Sequence, residues 1–286
     1  KNKNIIDNLF ILTLNIMKYI FANWKQHFSH SETIQKFNMF LQELHDLTAD
    51  KSMIVGLAVS HESLERVCSS NKSSLWVGSQ NCSSFYQGSY TGEVSARSIY
   101  EIGSQFVFVG HSERRKFLKE SSQDITLQVK NGLKAGLKVV LCVGETLEER
   151  SSQRSLQVLR AQIVSALQEI EREEDKKNIL IAYEPQYAIG TGILPELSDI
   201  EETMAGLQNI KNEASLNLQD TPLLYGGSIN EKNYEPVVQL PYVQGLLIGG
   251  ASLQIDAFKK IVSGCKSINK KYVSNINKNY NVVENI

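Results

Sequence analysis

Eight short apolar runs, most of them continuous rather than alternating with polar residues, restrict the fold of this chain more than any other feature. A strand that is apolar on both faces is typical of a parallel sheet covered by helices. Each run is followed by a segment with helical spacing or by a glycine-rich turn. The runs are Tyr19 to Asn23, Met53 to Ala58, Leu75 to Gln80, Phe106 to Gly110, Val139 to Val143, Ile179 to Glu184, Leu223 to Gly226 and Gly245 to Ile248. The pattern therefore predicts an α/β fold with eight strand–helix units.

The segments between the runs provide the helices of this arrangement. In the clearest segment, the apolar residues that share one predicted helical face are Leu156, Leu159, Ile163, Ala166, Leu167 and Ile170. Eight such units predict a closed (β/α)8 barrel. The competing arrangement is an open, doubly wound sheet, which usually has a G-x-G-x-x-G turn after its first strand, whereas this chain has Asn23-Trp24-Lys25 there. The chain has 286 residues and no linker that divides it, so we predict a single domain.

Charge and cysteine content argue against several classes of function. The 30 Lys and Arg residues nearly balance the 31 Asp and Glu residues, so no net positive field would attract nucleic acid or an anionic membrane. We therefore expect a small-molecule substrate.

The four cysteines lie far apart in the sequence and lack the spacing of a zinc site; they are Cys68, Cys82, Cys142 and Cys265. This pattern predicts reduced thiols, a cytoplasmic location and no metal site. Cys142 is interpreted as a small buried residue, with a catalytic thiol as the alternative.

The two ends of the chain are predicted to lie outside the barrel. Residues 1–16 contain an apolar stretch that is too short to span a bilayer and that polar residues interrupt, and no signal-peptide cleavage site is evident. The barrel pattern begins directly after Met17, so the predicted domain covers residues 17–266. Residues 267–286 are rich in asparagine and show neither helical nor strand periodicity, which predicts a flexible tail.

Polar residues stand at the carboxyl ends of the predicted strands, where barrels of this kind carry their chemistry. Asn23 and Lys25 come with the first run, His111 follows the fourth, Glu184 ends the sixth, Ser228 follows the seventh, and Gly249 and Gly250 follow the eighth. Paired glycines let the backbone approach an anion, and the free amides of a following short helix point towards it. We therefore expect one pocket with a phosphate site beside the last two strands. A simple turn is the alternative for either glycine pair.

Glu184 is the candidate base. It closes an apolar strand, and partial burial raises the pKa of a carboxyl group towards the range in which a base works well. The alternative is a strand-end carboxylate paired with a cation. The segment that follows indicates a lid that could grip a phosphate and exclude water, and its residues are Pro185, Tyr187, Ala188, Ile189, Gly190, Thr191 and Gly192. An ordinary turn at the two glycines is the alternative interpretation.

His111 and Lys25 are the candidates for stabilising charge on a substrate. His111 stands where the fourth strand gives way to a helix that Ser112 could cap, and a helix N-terminus disfavours a positive imidazole. We therefore predict a neutral His111 that donates a hydrogen bond to a substrate oxygen, with a purely structural histidine as the alternative. Lys25 would stabilise negative charge, with Asn23 as a neutral donor and Glu113 as the partner that holds Lys25.

Several short motifs resemble those of the triosephosphate isomerase family and occur in the family's order. They are Phe21 to Lys25, Val77 to Asn81, Gly88 to Glu93, Val109 to Arg115, Cys142 to Glu145, Tyr183 to Gly192, Tyr225 to Ser228 and Gly249 to Leu253. The resemblance extends from Met17 to about Cys265. It implies a TIM barrel that interconverts dihydroxyacetone phosphate and D-glyceraldehyde 3-phosphate, in glycolysis and gluconeogenesis, through an enediol(ate) and without a cofactor.

The resemblance also implies a role for each candidate residue. Glu184 would carry the proton between carbons and His111 between oxygens, while Lys25 would stabilise negative charge and Asn23 would position the substrate. The residues expected to hold the phosphate through backbone amides are Gly190, Ser228, Gly249 and Gly250. The supporting residues are Ser112, Glu113 and Cys142. The resemblance further implies a homodimer, in which the loop bearing Tyr90, Thr91 and Glu93 inserts beside Asn23 and His111 of the partner subunit.

Some positions depart from the family's pattern. Tyr187 stands where the family generally has tryptophan, Ile193 to Pro195 replace a lysine and small residues, and Gln244 replaces an aspartate. No catalytic group is lost, so we expect the departures at the lid to affect rate rather than reaction. Two other functions stay open on the sequence alone. One is another phosphate-binding barrel enzyme, such as a lyase or synthase for a larger substrate, and the other is a binding barrel with decayed catalysis.

Overall fold

A computed structural model describes residues 17–49, 52–170, 172–190, 192 and 194–283 of the chain. Its strands are β1 (Tyr19–Asn23), β2 (Ile54–Val59), β3 (Trp76–Ser79), β4 (Phe106–Val109), β5 (Lys138–Val143), β6 (Ile179–Tyr183), β7 (Leu223–Tyr225) and β8 (Gly245–Ile248). Neighbouring strands pair in parallel and in chain order, and β8 pairs with β1, which closes the sheet. The predicted (β/α)8 barrel is therefore confirmed, and each observed strand end lies within one residue of the predicted end.

Helices alternate with the strands and cover the outside of the barrel. The α-helices of the described residues are α1 (His30–Thr48), α2 (His61–Ser70), α3 (Ala96–Glu101), α4 (Ser112–Phe117), α5 (Ser122–Ala135), α6 (Leu147–Ser151), α7 (Ser155–Leu167), α8 (Leu197–Lys211), α9 (Tyr234–Val238) and α10 (Ile255–Val283). Short 3₁₀ helices cover Glu173–Asn178 and Gly250–Leu253. Among the helices described, none has both the length and the apolar composition that crossing a bilayer requires.

The barrel has an apolar layer inside the sheet and a second one between the sheet and the helices. Inside, the rings of Phe21, Phe106 and Phe108 pack on one another with centroids 4.6 to 6.1 Å apart. Gly78 makes room for this cluster, because a Cβ at that position would lie 2.4 Å from the Phe106 ring. Tight packing of this kind holds the strands rigidly, so the residues at their carboxyl ends have well-defined relative positions.

Helix α10 continues well past the predicted end of the domain. It runs to Val283, so the prediction that the segment after residue 266 lacks helical structure is wrong up to that residue. The buried side chain of Asn269 gives a physical reason. Its Nδ2 donates to the backbone oxygen of Met17 (2.8 Å), and its Oδ1 accepts from the Met17 backbone N–H (2.9 Å). Because Met17 leads into β1, α10 fastens the start of the barrel. Residues 1–16 lie outside the described part of the chain.

Candidate active site

A pocket of about 310 Å³ opens at the carboxyl ends of the strands. The candidate residues that the structure brings together in its wall are Asn23, Lys25, His111, Glu184, Ser228, Gly249 and Gly250. Gly190 and Gly192 of the predicted lid also line it, whereas Thr191 lies outside the described residues. A pocket of this size suits a small ligand. Within the described residues, no group of three or more His, Cys, Asp or Glu side chains is placed to hold a metal ion.

Glu184 follows β6 and is only 2% exposed. Its Oε2 accepts a hydrogen bond from the backbone N–H of Ser112 (2.9 Å), and its Oε1 lies 3.1 Å from Nε2 of His111. Both partners belong to the segment that follows β4, so side chains from two separate strand ends meet here. The carboxylate is therefore buried and hydrogen-bonded at rest, beside the imidazole that would share its chemistry.

The hydrogen bonds of His111 define the position of its ring proton. Nδ1 accepts from the backbone N–H of Glu113 (3.2 Å), so the proton of a neutral ring sits on Nε2, which points into the pocket towards Glu184. His111 itself is the N-cap of α4, and the expectation that Ser112 is the cap is wrong. The reason is local geometry, because the ring nitrogen reaches the amide two residues ahead. The Ser112 hydroxyl is buried and has no hydrogen-bond partner among the described residues.

Lys25 adopts a left-handed backbone conformation (φ 49°), which is uncommon for a residue with a side chain. Two neighbours stabilise it. Asn23 Oδ1 accepts from the Lys25 backbone N–H (3.0 Å), and Gln80 Nε2 donates to the Lys25 backbone oxygen (2.8 Å). The Lys25 ammonium pairs with Glu113, the partner that the sequence suggested. Gln80 was not singled out from the sequence, although it ends the third apolar run and thus lies at the same rim.

Part of the pocket wall is glycine-rich backbone. Gly249 follows β8, Gly250 begins the next 3₁₀ helix, and Ser228 comes after β7. The Ser228 hydroxyl donates to the backbone oxygen of Ala188 in the lid (2.7 Å), which ties the lid to this wall. Gly190 has a φ of 74°, a conformation that favours glycine. Exposed backbone amides at short turns of this type make an anion-binding wall.

Cys142 lies inside the barrel next to the carboxylate. Burial, and then the neighbouring Glu184 charge, raise the pKa of the Cys142 thiol well above its usual value. This thiol therefore stays protonated, which agrees with a structural role better than with a nucleophilic one. Arg115, for which the sequence indicated no role, donates to the backbone oxygens of Gly110 (2.7 Å) and Cys142 (3.1 Å) and so joins the ends of β4 and β5.

A polar cluster lies beneath the start of the lid. Glu145 is fully buried, and its Oε1 accepts a hydrogen bond from the Tyr183 hydroxyl (3.0 Å). Gln186 Nε2 donates to the backbone oxygen of Gly144 (2.7 Å). Burial raises the pKa of Tyr187, the residue that stands where the family generally has tryptophan. The sequence contains one motif from this region, Cys142 to Glu145, and no role for Glu145 could be predicted from it.

The residues expected at a subunit contact lie on an exposed loop after β3. Tyr90 is 43% exposed and stacks on Phe85 with ring centroids 3.5 Å apart. Thr91 and Glu93 are exposed as well. Within one chain, these three residues are absent from the described lining of the pocket. The structure thus places them apart from the candidate catalytic residues of the same chain.

Comparison with known proteins agrees with this geometry. The sequence model of the family described as triosephosphate isomerase matches residues 18–265. A triosephosphate isomerase of Chlamydia felis is 35% identical over 249 residues, which cover 85% of this chain and 96% of the relative. One of Bdellovibrio bacteriovorus is 36% identical over 248 residues, which cover 86% of this chain and 100% of the relative. The crystal structure of triosephosphate isomerase from Bartonella henselae superposes with a TM-score of 0.75 at 31% identity, covering 86% of this chain and 98% of that one. The chain therefore belongs to the triosephosphate isomerase family.

Proposed function

We propose that the chain interconverts dihydroxyacetone phosphate and D-glyceraldehyde 3-phosphate, with Glu184 as the base. The observation that carries the proposal is the convergence of Glu184, His111 and Lys25 on one pocket that glycine backbone also lines. A triose phosphate needs both kinds of group, polar side chains for the reacting carbons and backbone amides for the phosphate. Another phosphate-binding enzyme with a larger substrate is less compatible with a pocket of about 310 Å³.

In the proposed reaction, Glu184 removes a proton from one substrate carbon and returns it to the next. In the resting site, Nε2 of His111 lies 3.1 Å from Oε1 of Glu184, and its proton points towards that oxygen. The reaction needs the same proton for a hydrogen bond to the substrate oxygens. Substrate binding must therefore separate the two side chains. A neutral imidazole then donates to the oxygen on which charge develops and passes protons between the two oxygens.

Lys25 supplies the positive charge that the enediolate and the phosphate require. Its ammonium is held by Glu113, so little reorganisation is needed when negative charge develops. Asn23 uses its Oδ1 to accept from the Lys25 backbone. That bond leaves the Asn23 amide group oriented to donate to the substrate.

The phosphate would be bound by the backbone N–H groups of Gly190, Ser228, Gly249 and Gly250. Because Gly190 belongs to the lid, phosphate binding would draw the lid over the reacting carbons and exclude water. The hydrogen bond from the Ser228 hydroxyl to Ala188 supports this link between lid and phosphate wall. No cofactor enters the proposed reaction.

We further propose that the protein acts as a homodimer in the cytoplasm. Exposed aromatic residues support a subunit contact, because Phe85, Tyr86, Tyr90 and Phe117 all lie on the surface. The loop with Tyr90, Thr91 and Glu93 would then reach Asn23 and His111 of the partner subunit. All four cysteines are free thiols, which suits a reducing compartment. Light scattering during size-exclusion chromatography should give twice the mass of one chain, and a monomer at micromolar concentration would refute the dimer.

A coupled assay that follows each triose phosphate in turn tests the proposed reaction. The native chain should catalyse both directions. Glu184→Gln should lower kcat by at least about a thousandfold while the inhibition constant of inorganic phosphate changes little, because the base acts mainly in the transition state. A folded native protein that isomerises neither triose phosphate would refute the function. Near-native turnover by the variant would remove Glu184 from the role.

A further inference from the structure

Arg150 of α6 is the centre of a side-chain cluster at the base of the lid. Its Nη2 lies 2.9 Å from Oδ2 of Asp199, in the first turn of α8. The carbon of its guanidinium lies 5.4 Å from the centroid of the Tyr187 ring. Its Nη1 lies 3.4 Å from Oε1 of the buried Glu145. One side chain therefore contacts a residue of the lid and a residue of the helix that follows the lid.

The positions of these contacts along the chain give them significance. Tyr187 lies at the start of the lid, and Asp199 lies in the helix into which the lid leads. Arg150 comes from a third segment, the one after β5. The Gln162 side chain fixes that segment by exchanging two hydrogen bonds with the backbone of Gly144 (2.9 and 3.0 Å). Arg150 therefore extends from a fixed segment to the start of the lid and to the helix after the lid.

The chemistry of arginine suits this position. A planar guanidinium can face an aromatic ring while its N–H groups bind carboxylates, and a lysine ammonium cannot do both equally well. The side chain of Arg150 is 22% exposed, that of Glu145 is fully buried and that of Asp199 is 43% exposed, so solvent screens the contact with Glu145 less than it screens an exposed pair. Arg160 and Glu213 form such an exposed pair between α7 and the residues after α8, with N–O distances of 2.7 to 3.1 Å.

We propose that Arg150 is a positioning residue for the lid, which couples Tyr187 near the start of the lid to Asp199 in α8, the helix that follows the lid. The start of the lid and the start of α8 then move together when the lid closes over the substrate. The proposal rests on the proposed isomerase function, because closure affects catalysis only if an enediolate must be protected. Arg150 is absent from the described pocket lining, so it acts through the lid and not on the substrate.

The test compares Arg150→Gln and Arg150→Lys with the native full-length chain, and uses Arg160→Gln as the matched control. Steady-state kinetics give kcat and KM, and a phosphate assay gives the inorganic phosphate lost per turnover. Phosphate is lost when the oxyanion of an unprotected enediolate re-forms a carbonyl, the carbon–carbon double bond shifts to the carbon that bears the phosphate, and the C–O bond to phosphate breaks with its electron pair on phosphate. We expect Arg150→Gln to lower kcat about tenfold and to raise phosphate loss.

The other variants separate positioning from stability. Arg150→Lys keeps the charge and loses the planar face, so it should restore part of kcat. Arg160→Gln should match the native chain in kcat and phosphate loss. The urea midpoint of Arg150→Gln should stay near the native value. The proposal would be overturned if kcat of Arg150→Gln fell only in proportion to a loss of folded protein. It would also be overturned if Arg150→Gln and Arg160→Gln changed kcat and phosphate loss equally.

Hydrogen exchange of the lid amides gives a readout that does not depend on activity. In the absence of substrate, residues 186–190 should exchange faster in Arg150→Gln than in the native chain, and at the native rate in Arg160→Gln. Native exchange and native turnover in Arg150→Gln would refute the coupling. Suppose that the native chain fails to isomerise triose phosphates while residues 186–190 still exchange faster in Arg150→Gln. That result would refute the proposed function and leave the coupling between the lid and α8 intact.

Discussion

Replacing Asn269 by leucine tests whether α10 fastens the start of the barrel. The Asn269 side chain is 7% exposed and makes hydrogen bonds of 2.8 and 2.9 Å with the backbone of Met17. Leucine has the same branched side-chain shape with the same number of heavy atoms, so the substitution keeps the site filled but leaves a buried N–H and a buried C=O of Met17 without these partners. Each such group costs about 1–3 kcal/mol, so for the two groups we expect the free energy of unfolding to fall by about 2–6 kcal/mol.

Urea unfolding at one fixed protein concentration provides the measurement, since the stability of a dimer depends on concentration. The midpoint should fall while the slope of the transition stays the same. Ser267→Ala is the control, because this exposed hydroxyl donates to the Ser263 backbone oxygen within the same helix (2.9 Å). The control should stay within about 0.5 kcal/mol of the native chain. A native midpoint for Asn269→Leu would show that α10 does not hold the barrel beyond Ser267.

Two further predictions concern charge. Burial lowers the pKa of Lys211 to about 8, below its ordinary value of 10.5. The unfolded chain therefore keeps this proton to higher pH, and the native state gains stability as pH rises through that window. Relative to Lys211→Met, the native chain should gain about 3 kcal/mol between about pH 7 and 11 in urea unfolding, and a constant difference would contradict the assignment. Glu113→Gln removes the charge that holds Lys25 and should lower kcat/KM by about 10- to 100-fold in the isomerase assay; unchanged kinetics would show that Lys25 is held by other contacts.

The strands and the residues at their ends could be predicted from the sequence for a simple reason. A strand buried on both faces appears as a continuous apolar run, and the first polar residue after it then stands at the rim. Glu184 and His111 each follow such a run, and the closed barrel brings their side chains within 3.1 Å. Lys25 was harder to place, because it lies two residues beyond the end of β1 and itself has a positive φ.

Contacts between distant segments could not be predicted in this way. Asparagine is common in loops, so Asn269 looked like part of a tail until its two bonds to Met17 were known. The cap of α4 depended on a ring nitrogen of His111 rather than on the expected hydroxyl. Arg150 lies in a short helix with ordinary charged neighbours, and nothing in its local sequence indicates that Tyr187 and Asp199 meet it.

The reactive side chains are held in place by residues of other segments. This arrangement predicts that some variants alter turnover and others alter stability. Lys25 follows β1 but is held by Gln80 after β3 and Glu113 after β4. Glu184 follows β6 but is bound by Ser112 after β4. The supports run from one strand–helix unit to another, so the site geometry exists only once the barrel has closed. Changes at these crossing contacts should therefore alter turnover in a protein that still folds. Changes such as the one at Asn269 lie at the far end of the fold and should alter stability while the turnover of the folded fraction stays the same.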